Sequence, residues 1–244
     1  IEPFVILNDY ENAHIDAHQI SSHIEPKSIR ALSGSCICCS GIHQLRDFIN
    51  QIPKRTNGVT LIEANGTTDA TSLAGVLGVG LEKRFLPPVQ ISVVNAQEWQ
   101  KRGEHNELEA NQIQLSSLIV LSHVEDITAV RKDEVVEDIR TKNPKAQIIN
   151  MKELDARSLL KLLPSKNIAQ KMDHYKSHWS SCSVDLPELP SVDSIHRLCS
   201  NIPKSILRVK GCVKVNGALS YTYFERTPDR NVTIRPFNGV PPMG

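Results

Sequence analysis

A chain of 244 residues, 40% hydrophobic and 23% charged, is long enough to bury one large core or two unequal ones. A formal net charge of +1 excludes a surface built for bulk nucleic-acid or membrane attraction. No run of about 18 apolar residues occurs, so no spanning helix is expected. The opening residues 1–7 are neither a signal nor a transit peptide; they read as a buried strand, and the native N-terminus is expected to lie ahead of them. Short apolar, β-branched runs at 4–7, 59–62, 90–94 and 118–121 predict strands of a parallel sheet. Helical patterns at 41–52, 69–79, 107–115 and 132–141 fall between and after them, and a further strand at 147–150 follows Asn143-Pro144. This alternation predicts an α/β domain over 1–165, with ligands at the carboxyl ends of its strands. Residues 166–190, ending in a Ser- and Pro-rich stretch, read as a linker. Beyond it, a helix at 192–201 with Ser191 as N-cap, and strands at 206–209, 212–215, 220–225 and 231–236, predict a smaller α+β domain over 191–244.

Six cysteines are present, and three of them, Cys36, Cys38 and Cys39, fall within four residues. So close a group cannot form a mutual disulfide framework. As thiolates the three can converge on one soft or borderline ion, leaving a coordination position open. The alternative is a buried thiol cluster that only packs. The spacing of the remaining cysteines, Cys182, Cys199 and Cys212, does not suit a secreted scaffold, so a reducing, cytoplasmic setting is expected. His43 is a candidate accessory ligand, although a solvated histidine is the commoner outcome. His174, His178 and Cys182 share an i, i+4, i+8 spacing, but the Ser- and Pro-rich residues nearby argue against one continuous helix.

Four strand-end segments, in order, resemble the CobW-type GTPases, a P-loop family of metal-delivery proteins. The first is Val5-Ile-Leu-Asn-Asp-Tyr-Glu-Asn-Ala-His-Ile-Asp16, in which Asn8, Asp9, Tyr10, Asn12 and Asp16 stand at the family's positions. The others are the Cys36-Ile-Cys-Cys39 run, Leu61-Ile-Glu-Ala-Asn-Gly-Thr-Thr-Asp69, and Gln112-Ile-Gln-Leu-Ser-Ser-Leu-Ile-Val-Leu-Ser-His-Val-Glu125. The Asn143-Pro144 stretch and Arg208-Val-Lys-Gly211 add to the likeness. The resemblance implies a P-loop NTPase-like parallel sheet that lacks its first strand, followed by an α+β C-terminal domain. It implies a GTP-dependent protein that delivers zinc or cobalt to a client. Cys36, Cys38, Cys39 and Asp9 would hold the ion. Glu63 would be catalytic, and Gly66, Ser122, His123 and Glu125 would contact a nucleotide accompanied by Mg²⁺.

Two departures bear on that expectation. No Gly-x-x-Gly-x-Gly-Lys-Thr loop occurs in the chain, so GTPase activity is expected only if the native N-terminus carries one. In the guanine-reading segment Ser122, His123 and Glu125 replace Asn, Lys and Asp, and Asn12 replaces a glutamate, which weakens any hold on a divalent cation. The alternative function is a non-hydrolysing zinc-binding or regulatory module that uses the same thiolates. Expected partners are GTP or GDP, a divalent metal ion and a client metalloprotein, with no nucleic acid and no membrane. A homo-oligomer is neither required nor excluded.

Overall fold

The computed structural model describes residues 2–8, 13–32, 42–79, 81–167, 182–206, 208–227, 229–237 and 239–241. Strand β1 (Glu2–Asn8) lies between β2 (Ile29–Leu32) and β3 (Gly58–Glu63) in a parallel sheet. Its side chains alternate between two cores, as a period of two requires. Phe4 and Ile6 face α2 (Ile42–Gln51), packing with Leu45 and Ile49, and the partly buried Leu73 and Leu77 of α3 (Ala70–Leu77) join that cluster. Val5 and Leu7 face α1 (Ala13–Ile20) through Ala13, Ala17 and Ile20. A strand buried on both faces reads as a continuous apolar run, which is why residues 4–7 were legible.

A second parallel sheet has β5 (Leu118–Ser122) between β4 (Ile91–Asn95) and β6 (Gln147–Asn150). Ile119 and Leu121 pack against Val135 and Ile139 of α5 (Ala129–Lys142), with Trp99 and Ile113 in the same cluster. Thr128 caps α5 by accepting from Arg131 N at 3.2 Å. Helix α4 (Asn106–Gln114) precedes β5, and α6 (Ala156–Leu160) follows β6. Among the described residues, β3 and β4 each pair with a strand on one side only, and Leu61 and Val93 on them are 42% and 61% exposed.

The C-terminal part holds α7 (Val192–Asn201) and an antiparallel sheet of β7 (Val209–Val213), β8 (Tyr221–Arg226) and β9 (Val232–Phe237). One face of that sheet packs on α7 through Ile195, Cys199, Val213 and Phe224. The other meets α1, where Ile15 is buried with Tyr223 and Phe237. Gly217 supplies the positive φ, +78°, of the turn in which Ala218 N donates to Val215 O.

Several sequence expectations change. Helix α1 and strand β2 were not anticipated. The two strands expected at 206–209 and 212–215 are one strand, β7, since Gly211 interrupts the apolar pattern without breaking the ladder. A Cβ at Gly211 would lie 3.1 Å from the Phe224 ring, so a larger residue there would require the ring to give way. Ser191 occupies the N-cap of α7, but its side chain makes no capping bond. Leu186 and Leu189, within the expected linker, pack against the α7 cluster, and Leu189 N donates to Lys214 O at 2.8 Å. Among the described residues no helix is long and apolar enough to cross a membrane.

Candidate functional site

The carboxyl ends of the parallel strands carry most of the residues singled out from the sequence. At the end of β1, Asn8 is 3% exposed and donates from Nδ2 to Leu32 O at 3.2 Å. Asn8 and Leu32 are also register partners in the β1–β2 ladder. The segments that leave these two strands therefore start side by side. The first contains Asp9; the second contains Cys36, Cys38 and Cys39. All four of these residues lie outside the described residues, as do His174 and His178. Asp16, the last residue of the first family-like segment, is on α1 and accepts from Lys210 Nζ of β7 at 2.7 Å. His43 and Cys182 are exposed. Among the described residues no three His, Cys, Asp or Glu side chains are grouped to hold a metal ion.

The turn after β3 is built by its own side chains. Asn65 Oδ1 accepts from Thr67 N at 3.1 Å, Thr67 Oγ1 at 2.7 Å and Thr68 Oγ1 at 3.1 Å. Asp69 then caps α3, accepting from Thr71 N at 3.0 Å and Ser72 Oγ at 2.7 Å. Thr67, Thr68 and Asp69 are buried, whereas Glu63 and Gly66 are exposed. A Cβ built on Gly66 would meet nothing within 4 Å, so the space over its backbone is open. Gln112, on α4, donates from Nε2 to both Gly66 O and Thr68 O at 3.0 Å. The turn of the first sheet is thereby fixed to the helix that enters the second.

Ser122 ends β5, and His123 and Glu125 lie in the loop that follows it. Ser122 Oγ is turned back into the sheet, donating to Val94 O at 3.2 Å, and Ser122 O accepts from Ala96 N at 3.0 Å. His123 has φ +56°, the left-handed region that non-glycine residues seldom enter. Its Nδ1 lies 3.2 Å from Asp126 Oδ2. Glu125 pairs with Lys152 at 2.7 Å, and the hydrogen bond from that ammonium holds its carboxyl below the usual range. A base reader at Glu125 therefore has to share or displace Lys152.

Sequence reasoning did not give roles to Asn8, Gln112 or Lys152. Asn8 and Gln112 were quoted within family-like segments, and that was the available signal. Lys152 follows the last parallel strand and meets Glu125 only through the fold.

A search of the curated proteins finds no match. Among solved structures, a crystal structure of a Zn(II)-bound YjiA GTPase from E. coli is similar at 14% identity and a TM-score of 0.46, over 98% of this chain and 91% of that one. A Zn(II)-bound triple mutant of YjiA GTPase gives 15% identity and the same TM-score of 0.46, over 98% and 82%. The family model described as the nucleotide-binding domain of CobW/HypB/UreG matches residues 2–150, more than half of the chain and all of its parallel strands. The chain belongs to the CobW/HypB/UreG nucleotide-binding family.

Proposed function

We propose that this protein is a GTP-dependent metal carrier that delivers Zn²⁺ or Co²⁺ to a client protein. The observation that carries this reading is the Asn8–Leu32 bond. It starts the Asp9 segment and the three-cysteine segment from adjacent strand ends, next to the turn expected to face a nucleotide. The donor set suits the cargo: three thiolates and a carboxylate favour a borderline ion such as Zn²⁺ over Mg²⁺. In this reading Glu63 and the open backbone of Gly66 face the phosphates, and the loop of Ser122, His123 and Glu125 faces the base. Hydrolysis also needs a phosphate-cradling loop with Mg²⁺, which these 244 residues do not contain. Among the described residues β3 and β4 each leave one edge unpaired, and such an edge could seat a strand that carries this loop.

A second reading, a zinc-binding regulatory module that hydrolyses nothing, is favoured by the Glu125–Lys152 pair, which occupies the expected base-reading carboxylate. Zinc titration with and without GTP separates the two. The carrier reading expects GTP to change zinc affinity at least fivefold, and nucleotide affinity to change by the same factor when zinc is bound. Zinc binding that ignores GTP supports the module. Zinc binding that survives Cys36→Ser combined with Cys38→Ser overturns both. Thiolate binding releases protons, so zinc affinity should fall as pH is lowered.

A further inference from the structure

The amino end of β1 carries an arrangement that the nucleotide and metal readings do not use. Phe4, 5% exposed, holds two guanidinium groups against its ring. The Arg30 Cζ, from β2, and the Arg55 Cζ, from the α2–β3 connection, each lie 5.5 Å from the ring centroid. Both are within the roughly 6 Å reach of a cation–π contact. Two like charges on one ring repel each other, yet no carboxylate among the described residues pairs with either.

Backbone carbonyls pin both arms instead. Arg30 Nη1 donates to Lys27 O at 3.1 Å and Ile29 O at 2.9 Å. Arg55 Nη1 donates to Glu2 O at 2.8 Å. Arg55 also lies flat over Gly58, where a Cβ would come within 3.0 Å of the arginine's own Cβ and 3.1 Å of its Nε. Each guanidinium is therefore fixed through one nitrogen and keeps Nη2 for another acceptor.

These groups border a cavity of about 860 Å³, within the size range of small-molecule sites. Ile24, Phe48 and Pro53 give it apolar walls. Of its carboxylates, Glu25 is already paired with Lys27 at 2.9 Å, which leaves two arginines against Glu2 alone. The cavity is at the amino ends of β1 and β3, opposite the strand ends where the nucleotide and metal are expected.

We propose that this cavity binds a small organic oxyanion, a phosphate or a carboxylate on an aromatic or aliphatic body, with Arg30 and Arg55 sharing the anionic group. Pre-positioned guanidinium groups offer forked donors that match both oxyanions, and their fixed geometry reduces the ordering needed on binding. The apolar walls would take the body of the ligand.

The test titrates the chain with phenyl phosphate, benzoate and inorganic phosphate at low ionic strength, followed by calorimetry and by amide NMR shifts. Saturable binding of either aryl oxyanion, with shifts at Arg30 and Arg55, is expected; the better of the two identifies the headgroup. Inorganic phosphate should bind more weakly, because it has no apolar body. Replacing both arginines, as Arg30→Gln with Arg55→Gln, should weaken binding at least tenfold. Arg30→Lys with Arg55→Lys keeps the charge and the stems, and serves where the glutamine variant fails to fold. It should bind several-fold more weakly than the parent, since an ammonium lacks the fork. Equal affinity in a folded variant overturns the proposal, as does an aryl oxyanion response that fails to saturate by about 10 mM.

Discussion

Lys210 Nζ on β7 donates to Asp16 Oδ2 on α1 at 2.7 Å, joining residues 194 apart in the chain. Their side chains are 11% and 26% exposed, so the pair is partly shielded from solvent. Beside it, Arg235 Nη2 donates to Gln19 Oε1, and the His18 ring lies 4.5 Å from that of Phe237. Helix α1 is thus held on one side by the β1–β2 sheet and on the other by the C-terminal sheet. It is an element that packs on both the parallel sheet of β1 and the C-terminal sheet.

Removing Lys210 should reveal that coupling. Lys210→Met is expected to destabilise the protein by about 1–2 kcal/mol, and by clearly less in an Asp16→Asn background. Urea unfolding of both singles and the double measures the difference. Additive effects would show that the pair contributes nothing of its own.

Gln112 makes a separate tie, between α4 and the turn after β3. Gln112→Ala should cost about 1–2 kcal/mol, because two carbonyls lose their donor. Gln112→Glu should cost more at neutral pH, since a carboxylate would face two carbonyl oxygens. Amide exchange at residues 66–69 should rise in both variants. Exchange at the parental rate would mean that the turn holds its shape without α4.

The pH dependence of stability has a contributor at Asp138. Burial alone would raise its carboxyl, but hydrogen bonds from Lys142 and Trp99 outweigh that and hold it below the usual range. A carboxyl depressed in the folded state adds stability above its unfolded pKa, and this is lost as pH falls through the folded value. The group is more than a third exposed, so solvent screening limits the gain to about 1 kcal/mol or less. Asp138→Asn should therefore lower the melting temperature at pH 7 and make little difference near pH 2. A constant offset at both pH values would contradict the assignment.

The thiols should sort by burial. Burial pushes Cys212 up to about 11 and also raises Cys199, whereas Cys182 is exposed. At pH 8 only about one in a thousand Cys212 side chains would be thiolate, the reactive form. Iodoacetamide followed by peptide mapping should label Cys182 in the native protein, and Cys199 and Cys212 only after unfolding. Rapid native labelling of Cys212 would contradict this order.

Lys152 offers a test of the proposed base-reading loop. Lys152→Met frees the Glu125 carboxylate from its 2.7 Å partner. If Glu125 reads a base, affinity for GDP should change several-fold while affinity for inorganic phosphate does not. Equal GDP binding in the two proteins would remove Glu125 from the site.

How much of this was legible in the sequence varied with the kind of burial. Strand β5 announced itself because Leu118, Ile119, Val120 and Leu121 are all buried, and a strand covered on both faces is written as an unbroken apolar run. Helix α1 did not. Its apolar residues divide between two partners, Ala13 and Ala17 toward one sheet and Ile15 toward the other, so no single stripe forms. Strand β2 is four residues long with Arg30 inside it, and it becomes a strand only by pairing with β1.

The candidate site divides in the same way. Donor chemistry, a local property, marked the three cysteines in the sequence, whereas Glu63, Gly66 and the run from Ser122 to Glu125 were marked by their resemblance to a family's motifs. The sequence also sufficed to establish the alternating α/β order, since hydrophobic periodicity reports which faces are covered. Only the tertiary structure placed Asn8 against Leu32, Gln112 against the Gly66 turn, Lys152 against Glu125 and Lys210 against Asp16. Each of these contacts joins segments that chain order does not bring together, and a hydrogen bond depends on where two groups sit in space, which a pattern of residue types along one segment does not encode.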